Sequence, residues 1–394
     1  MFEETTVAVV VPAYNEKGFV GEVIETLPPY VDRTYVIDDC STDGTWDEIR
    51  ATAERVNERD GEHVNERDDD NHEDAKGADE RDGTRFDRRV VPIQHEENRG
   101  VGGAIKTGYL RAKADDVGVT AVMGGDGQMD PDKLSLVVEP VVAGKADYAK
   151  GNRLLSAEDR SEMPGFRYVG NVMLSYLTKI ASGYWHIGDP QNGYTAISAD
   201  ALDGADIDEM FEFYGYCNDL LVRLSTNGFR VVDIPIAANY GDEESDIDYR
   251  TYIPRVSLML LRTFLWRLSV RRETAAEVTR SGLYVGGAVG VVAGLTSFLR
   301  SRGGGTDTSD AARLAAAVDD GARLTGDGGT DAAAADATVV DCGTETAVDD
   351  AAADDERSDR STRGILAVAA GVLMLVGGMV VDATINRALN GTVE

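Results

Sequence analysis

A short acidic turn, AVMGGDGQMDP at residues 121–131, carries the oxygen ligands that a divalent cation prefers. Such turns usually offer two carboxylates with one residue between them, but Gly124 stands where the first would be, which leaves Asp126. Mg²⁺ typically takes one or two carboxylates, substrate phosphates and several waters. Asp126, the side-chain carbonyl of Gln128, phosphate oxygens of a substrate and waters would fill about six positions. The turn therefore predicts a Mg²⁺ or Mn²⁺ site that binds weakly until a substrate phosphate arrives.

Two further motifs place polar side chains where predicted strands end. VPAYNE occupies residues 11–16, and IDDCSTDGT occupies residues 37–45. Carboxylates at the carboxyl edge of a sheet can accept hydrogen bonds from a base or a ribose. Asp38 and Asp39 together are therefore predicted to contact a ligand. Asp43 precedes a helical pattern and is predicted instead to cap that helix.

Apolar periodicity predicts an α/β fold for the first half of the chain. The strand-like runs TVAVVVP, TYVIDD, RVVPI and GVTAVMG alternate with amphipathic helical patterns. Such alternation predicts a doubly wound, mostly parallel sheet, with ligands outside the carboxyl ends of its strands. The three motifs would then lie at one edge of the sheet.

The order of the motifs resembles that of the family 2 glycosyltransferases of the GT-A fold. More narrowly, it resembles the polyprenyl-phosphate sugar synthases, the dolichyl-phosphate mannose or glucose synthase group. PAYNE, the double aspartate, HEENRGVGGAIKTG, DGQMDP and GNR follow one another with the family's approximate spacing, over about residues 5–250. The ordered set is far more specific than any single motif. The resemblance implies a Rossmann-like GT-A catalytic domain over residues 1–245.

The same resemblance implies roles for residues of the first motifs and of the acidic turn. The metal contacts would be Asp126 and Gln128. The nucleotide would be held by residues that follow the first two strands, namely Pro12, Tyr14, Glu16, Asp38 and Asp39.

Two arginines and an aspartate complete the implied site. Arg153 in GNR and Arg167 in GFRYVGN are fourteen positions apart, as in the family's phosphate-binding pair. The planar guanidinium fork suits phosphate oxygens. Asp189 in DPQNGYTAIS would orient the sugar. The segment YGDEESDI departs from the family pattern, because Tyr240 and Asp246 stand where basic residues are common.

The implied reaction transfers a hexose from a UDP- or GDP-linked sugar to dolichyl or polyprenyl phosphate, as a step toward protein N-glycosylation. A lipid phosphate with a second pKa of about 6 is already largely dianionic at neutral pH, so it needs no general base. One direct displacement would invert the anomeric carbon. His95 and His186 are accordingly predicted to be structural.

Two uncharged stretches predict membrane spans. Residues 281–299 and 364–381 carry no charged side chain and nearly match the roughly 20 residues that cross a bilayer core. Residues 246–279 precede them and are predicted to form basic amphipathic interfacial helices. Their apolar stripe and interspersed cations are Leu258, Leu261, Leu265 and Leu268 with Arg255, Arg262, Arg267, Arg271 and Arg272. The positive-inside rule then predicts a multi-pass protein of the cell membrane with a cytoplasmic catalytic domain.

Composition limits the environment and the partners. The formal net charge of the 394-residue chain is −31, with 8 Lys against 31 Arg. Strong acidity disfavours nucleic acid as a partner and indicates adaptation to a salty cytoplasm. The charged segments 57–89 and 301–363 are predicted to be disordered.

Two other classes of enzyme fit these motifs less well. A processive polysaccharide synthase would need a Gln-x-x-Arg-Trp signature, but Gln191 leads only to QNGYT. A dinucleotide-dependent oxidoreductase is disfavoured because Ile105 replaces the third glycine of GxGxxG. Two alternatives stay open: a membrane-tethered scaffold with a degraded site, and a GT-A enzyme with a non-lipid acceptor.

Overall fold

The computed structural model describes residues 1–69, 86–155, 165–236, 249–270, 274–303 and 346–391. The chain forms two compact units, which are Met1–Glu273 with Asp382–Glu394, and Thr274–Val381. The first unit contains the motifs that are predicted to carry chemistry.

A seven-stranded sheet organises the first unit, in the order β3-β2-β1-β4-β6-β5-β7. Strand β6 runs antiparallel to both neighbours, and the other pairings are parallel. This confirms the mostly parallel sheet predicted from the sequence. The strands are β1 (Val7–Ala13), β2 (Arg33–Asp38), β3 (Val90–Gln94), β4 (Val119–Val122), β5 (Tyr148–Asn152), β6 (Thr195–Ser198) and β7 (Val231–Pro235).

Helices cover both faces of the sheet, which is why β1 is apolar at successive positions. Val9 packs in the cluster that contains α1, α2 and α4 residues, and Val10 packs in the cluster of α3, α6 and α7 residues. The helices of this unit are α1 (Val20–Glu25), α2 (Thr45–Asp69), α3 (Val101–Ala114), α4 (Leu134–Val142), α5 (Gly165–Ser182), α6 (Ala199–Gly204), α7 (Tyr216–Thr226) and α8 (Tyr249–Val270).

The prediction that residues 57–89 are disordered is wrong for residues 57–69, which continue helix α2. Buried side chains anchor the first turns of this helix, namely Ile49, Ala53 and Val56. The Asn57 amide then exchanges two 2.8 Å hydrogen bonds with the backbone of Val90. The Glu- and Arg-rich sequence that follows has good helix propensity. Residues 70–85 lie outside the described residues.

The second segment that was predicted to be disordered, 301–363, also contains helix. Residues 301–303 end helix α9 (Ala275–Gly303), and residues 346–363 begin helix α10 (Thr346–Ile385). Alanine-rich sequence favours the helical state, and the apolar run that follows extends the same helix. Residues 304–345 lie outside the described residues.

Helix α8 corresponds to most of the predicted interfacial segment, but its faces differ in part from the prediction. Leu258, Leu261 and Leu265 are exposed, whereas Arg267 and Leu268 are buried. The predicted apolar stripe is therefore exposed at three of its four leucines, and Leu268 and the interspersed Arg267 belong to the opposite, buried face of the helix. This inner face is formed by Val256, Leu260, Thr263 and Arg267.

The end of α10 and the residues after it belong to the first unit. Asp382 accepts two hydrogen bonds from the Arg267 guanidinium, at 3.0 Å and 2.8 Å, and both side chains are fully buried. The Asn386 amide donates to Asp382 at 2.8 Å. Asn390 forms a parallel bridge with Val231 on the edge strand β7. The chain therefore returns to the first unit after its second apolar helix.

The second unit consists of helices α9 and α10. The stretches Ala275–Ser301 and Arg360–Leu389 are long and apolar enough to cross a membrane, and only 17 % of the apolar window of each is buried. Glycines bring the two backbones together, since a Cβ at Gly294 would lie 2.6 Å from the Gly364 carbonyl oxygen. Small residues that allow such close approach are typical of membrane helix pairs.

Candidate active site

The loops after β1 and β2 are joined at the carboxyl edge of the sheet. The Asp39 amide donates to the Ala13 carbonyl at 2.9 Å. Asn15, in the left-handed region at φ 57°, donates its amide to the Ser41 hydroxyl at 2.9 Å. The predicted nucleotide residues of the first motif lie here: Tyr14 is 47 % exposed, and the Glu16 carbonyl accepts the first amides of α1.

The double aspartate is buried and bound to protein donors. The Asp39 carboxylate accepts from the His95 ring at 2.7 Å, from the Arg99 amide at 2.9 Å and from the Gly100 amide at 2.7 Å. Asp38 accepts from the Gln94 amide group at 3.0 Å. A carboxylate has about four acceptor sites, so Asp39 already uses most of them. Both aspartates hold the loops beside the site, and their contact with a nucleotide stays a prediction.

The other predicted structural residues occupy supporting positions. Asp43 accepts from the amide and the hydroxyl of Thr45 at the start of α2, at 3.0 Å and 2.6 Å. Burial raises the pKa of Asp43, but the hydrogen bonds from Thr45 and Lys17 outweigh burial and hold that pKa below its ordinary value. His95 bridges Asp39 and the Thr107 hydroxyl, and His186 bonds the Val231 carbonyl at 2.9 Å.

The loop that contains Phe211 and Glu212 packs against the glycine-rich start of α3. This contact was not predicted from the sequence. The Gly103 amide donates to the Glu212 carbonyl at 2.8 Å, and a Cβ at Gly102 would lie 2.5 Å from the Phe211 carbonyl oxygen. The Glu212 carboxylate accepts from Arg99 at 2.6 Å and from Lys106 at 3.0 Å. Burial raises the pKa of Glu212, but these two cations outweigh it and lower that pKa.

The acidic turn after β4 is fixed by glycines. The Gly125 amide donates to the Pro12 carbonyl at 3.0 Å, which joins the turn to the end of β1. The Asp126 carboxylate accepts from the Gln128 amide at 3.0 Å. A Cβ at Gly124 would lie 2.9 Å from the same carboxylate oxygen. The space that a first acidic residue would need is therefore taken up by Asp126 itself.

The donor set of this turn fits a hard divalent cation. Asp126 and Gln128 are both partly buried and offer oxygen donors two residues apart. Among the described residues there is no group of three or more His, Cys, Asp or Glu side chains that would hold a metal ion. Most ligands of a cation here would have to be diphosphate oxygens and waters, as one carboxylate allows.

The structure brings Arg153 and Asp189 into direct contact. The sequence predicted a phosphate contact for Arg153 and a separate sugar contact for Asp189. The Arg153 guanidinium donates to the Asp189 carboxylate at 2.7 Å and 2.8 Å, and the Arg153 amide donates at 3.1 Å. Asp189 is buried and has φ 38°. Burial raises the pKa of Asp189, but hydrogen bonding to Arg153 outweighs burial and lowers that pKa. Arg167 lies in the first turn of α5, and its side chain is outside the described residues.

A buried ionic network, missed in the sequence analysis, holds the segment that leads to Asp189. The Lys150 ammonium lies 2.9 Å from the Asp233 carboxylate and donates to the Gly188 carbonyl at 2.6 Å. Asp233 also accepts from the Asn152 amide group and the Gly188 amide, both at 2.6 Å. Lys150 lies inside an otherwise uncharged strand, and this position was the signal that could have revealed the network. A buried charge is almost always paired, so a buried lysine predicts a carboxylate nearby.

The segment after Asp189 links the acidic turn to helix α8. The Tyr194 hydroxyl donates to the Asp130 carbonyl at 2.8 Å. The Gln191 side-chain amide bonds the Tyr252 hydroxyl near the start of α8. The chemistry-bearing groups that follow β1, β2, β4 and β5 therefore lie at one edge of the sheet, since these strands run in the same direction.

The mostly parallel sheet has the acidic oxygen-donor turn at its carboxyl edge, as expected for the GT-A fold that was predicted from the sequence. The chain belongs to glycosyl transferase family 2, whose family model matches residues 8–204. It is therefore a glycosyltransferase.

Curated relatives are similar over most of their own length. The UDP-N-acetylglucosamine–dolichyl-phosphate N-acetylglucosaminyltransferase of Methanococcus voltae is 27 % identical over 232 residues, which cover 59 % of this chain and 84 % of that protein. The polyprenol monophosphomannose synthase of Mycolicibacterium smegmatis is 29 % identical over 229 residues, which cover 57 % and 84 %. Among solved structures, glucosyl-3-phosphoglycerate synthase of Mycobacterium tuberculosis aligns with a TM-score of 0.45 and 17 % identity, covering 68 % of this chain and 81 % of that chain.

Proposed function

We propose that the protein transfers a hexose from a UDP- or GDP-linked sugar to dolichyl or polyprenyl phosphate at the cytoplasmic face of the cell membrane. The observation that carries the proposal is the return of the chain to the catalytic unit after its second apolar helix, through the buried Arg267–Asp382 pair. A glycosyltransferase unit joined at both ends to two span-length helices is suited to an acceptor that resides in the bilayer. The names of the two curated relatives support the same acceptor class.

The same return supports the proposed membrane orientation. An even number of spans leaves both ends of the helix pair on the side of the catalytic unit. The exposed cations Arg255 and Arg262 on α8 favour the cytoplasmic side. The acidic residues between the two spans would then face outside.

In the proposed reaction, an oxygen of the lipid phosphate attacks the anomeric carbon, and the nucleoside diphosphate leaves with inversion. The phosphate is largely dianionic at neutral pH, since its second pKa is about 6, and it needs no general base. Arg153 would bind the phosphate together with Arg167, because guanidinium groups match phosphate oxygens. Asp189 takes two of the five N–H donors of Arg153 and so fixes its orientation. The work of the protein is then mainly positioning.

The nucleotide would lie along the joined β1 and β2 loops, near Pro12, Tyr14, Glu16, Asp38 and Asp39. A Mg²⁺ or Mn²⁺ ion held by Asp126 and Gln128 would supply charge stabilisation of the departing diphosphate. The lipid-linked sugar would serve a later transfer, as expected in protein N-glycosylation.

Transfer of label into chloroform-extractable lipid tests the proposal. Full-length protein in vesicles, at molar salt, would be supplied with dolichyl phosphate and a panel of radiolabelled UDP- and GDP-sugars, with Mg²⁺ or Mn²⁺. We expect one donor to label the lipid, and Asp126→Asn to abolish most of the label. Label in a water-soluble product alone would indicate a non-lipid acceptor. No turnover of any donor would indicate a scaffold, and either result would refute the proposal.

A further inference from the structure

Four cations at the carboxyl edge of the sheet are paired with carboxylates. Each pair has an N–O distance of 3.0 Å or less, and the pairs are Arg153 with Asp189, Arg99 and Lys106 with Glu212, and Lys150 with Asp233. A carboxylate partner cancels the charge of a cation and takes some of its N–H donors. The proposed substrates, a lipid phosphate and a nucleoside diphosphate, bring further negative charges to this edge. A cation without a carboxylate partner would stabilise them most.

Arg255 of α8 is a cation of this kind. Its guanidinium carbon lies 5.7 Å from the centre of the Phe213 ring, within the range of about 6 Å for an attractive cation–π contact. None of the ion pairs among the described residues involves Arg255, whose side chain is exposed. An aromatic ring orients a guanidinium without cancelling its charge. Arg255 is thus oriented and still carries its full charge toward a ligand.

The loop that carries Phe213 is held on two sides. The Phe211 amide donates to the Asp219 carboxylate at 2.9 Å, and the Phe211 and Phe213 rings meet edge to face with their centres 6.1 Å apart. Gly215, at φ 109°, ends the loop so close to α8 that a Cβ there would lie 3.0 Å from the Val256 side chain. The fold therefore fixes the position of the ring that the guanidinium contacts.

Phe213 lies beside the predicted nucleotide residues. Its ring comes within 3.0 Å of the position that a Cβ at Gly100 would occupy, and the Gly100 amide donates to the Asp39 carboxylate at 2.7 Å. Phe213 is nevertheless 47 % exposed. A fixed, half-exposed aromatic side chain beside a few polar groups is typical of the wall of a ligand pocket.

The start of α8 is also tied to the segment that holds Arg153. Tyr252, three positions before Arg255 and on a neighbouring part of the helix surface, bonds Gln191. Gln191 follows Asp189 by two residues, and Asp189 binds the Arg153 guanidinium at 2.7 Å and 2.8 Å. The exposed cation on α8 thus lies between this segment and the aromatic ring.

We propose that Arg255, oriented by the Phe213 ring, binds a phosphate group of the substrates. This inference rests on the proposed function, and it adds to the site an arginine that was predicted from the sequence only as an interfacial cation. A guanidinium fork donates to phosphate oxygens, and both the lipid phosphate and the nucleotide diphosphate present such oxygens. Phe213 acts as a positioning residue, because it contacts the guanidinium rather than the phosphate.

Calorimetric titration tests the inference without reference to catalysis. Full-length protein in detergent, with Mg²⁺ and molar salt, would be titrated with UDP, with GDP and with a short-chain prenyl phosphate. We expect Arg255→Gln to weaken the binding of at least one probe by about ten- to hundredfold, as expected for loss of a charge-assisted hydrogen bond. Arg262→Gln is the matched control and should change no affinity, since Arg262 is exposed on the same helix about 10 Å further along.

The probe that loses affinity identifies the phosphate. Weaker binding of the prenyl phosphate alone assigns Arg255 to the acceptor, and weaker binding of UDP or GDP alone assigns it to the diphosphate. Equal affinities of Arg255→Gln and Arg262→Gln for every probe would overturn the inference, as would a wild type that binds none of them. The Debye length is about 3 Å in 1 M salt, so an effect that is confined to low salt would indicate long-range attraction and would overturn it too.

A double-mutant cycle tests the positioning role of Phe213. Phe213→Leu keeps an apolar side chain but removes the ring, so it should weaken the same probe severalfold. The same substitution should have little further effect in the Arg255→Gln background, and Phe213→Tyr, which keeps the ring, should bind like the wild type. Losses that simply add would show that Phe213 does not act through Arg255.

Transfer of label into lipid separates this inference from the proposed function. A wild type that binds the probes but labels no lipid would refute the proposed function, and the titrations would still decide whether Arg255 binds phosphate. Wild-type transfer that Arg255→Gln retains at full rate, with both substrates below saturation, would overturn this inference alone.

Discussion

Replacing Asp382 by leucine would leave the Arg267 guanidinium buried and charged, although it would still donate to the Ile180 carbonyl at 3.0 Å. Removing one member of a buried ion pair typically costs about 3 to 5 kcal/mol, because the other charge stays desolvated. One kcal/mol lowers the melting temperature of a domain of 150 to 250 residues by roughly 2 to 4 °C. We therefore expect Asp382→Leu to lower the melting temperature on the order of 10 °C.

The measurement is thermal unfolding of the detergent-solubilised full chain at two salt concentrations. Asp203→Leu is the matched control, because Asp203 forms a 3.1 Å ion pair with Lys113 in which both side chains are largely exposed. Such surface pairs contribute about 0 to 1 kcal/mol and are screened by salt, whereas a buried pair is screened much less. The double variant Arg267→Met, Asp382→Leu should regain most of the stability, since an apolar pair leaves no buried charge.

Two results would refute this reasoning. Asp382→Leu should lower the melting temperature more than Asp203→Leu does at both salt concentrations. An equal effect of the two single variants would show that the residues after the second apolar helix are not held by the ion pair. A double variant as unstable as Asp382→Leu would show that the loss comes from packing rather than from an uncompensated charge.

Three further predictions concern the site. Asp126→Asn should lower transfer by roughly a hundredfold through loss of the only carboxylate of the turn's donor set, with partial rescue at high Mn²⁺ in a titration of the rate. Gly124→Ala should weaken Mn²⁺ binding in the presence of nucleotide by about tenfold, because the new Cβ would displace the Asp126 carboxylate; calorimetric titration with and without nucleotide checks this. The lowered pKa of Asp189 means that its pairing with Arg153 stabilises the fold fully above about pH 4, the unfolded value, and that this contribution is lost as the pH falls through the folded value. The difference in unfolding midpoint between wild type and Asp189→Asn should therefore shrink from pH 7 to pH 3, and a difference that grows would contradict the assignment.

The sheet and the location of the motifs could be predicted from the sequence, because both depend on the local pattern of apolar and polar residues. Successive valines in β1 require a sheet covered on both faces, and parallel strands bring their carboxyl ends to one edge. The same logic failed for residues 57–69, where tertiary contacts such as that of Asn57 with Val90 extend a helix into a highly charged stretch. The composition of residues 57–69 does not indicate that contact, because the contact involves a residue on a distant strand.

The contacts within the site were not predictable because they join residues far apart in the sequence. Lys150 and Asp233 become neighbours only through the pairing of β5 with β7. Arg153 and Asp189 were both identified, but as separate ligand contacts, and their mutual orientation depends on the backbone of the segment around Gly188. The inward turn of Arg267 likewise requires a carboxylate more than a hundred residues later.

Residues that follow the second apolar helix complete the fold of the catalytic unit. Strand β7 is at the edge of the sheet, and an uncovered edge is a site for pairing with other chains. Asn390 and Gly391 cover part of this edge by pairing with Val231, and the Gly391 amide donates to the Val231 carbonyl at 2.9 Å. These residues follow both apolar helices in the chain, so the edge is covered only after the second helix has been synthesised. Gly183, at φ 79°, leaves the room that the Arg267 guanidinium needs to reach Asp382. The catalytic unit is thus completed by residues that follow the two apolar helices in the chain, and the buried Arg267–Asp382 pair holds them in place.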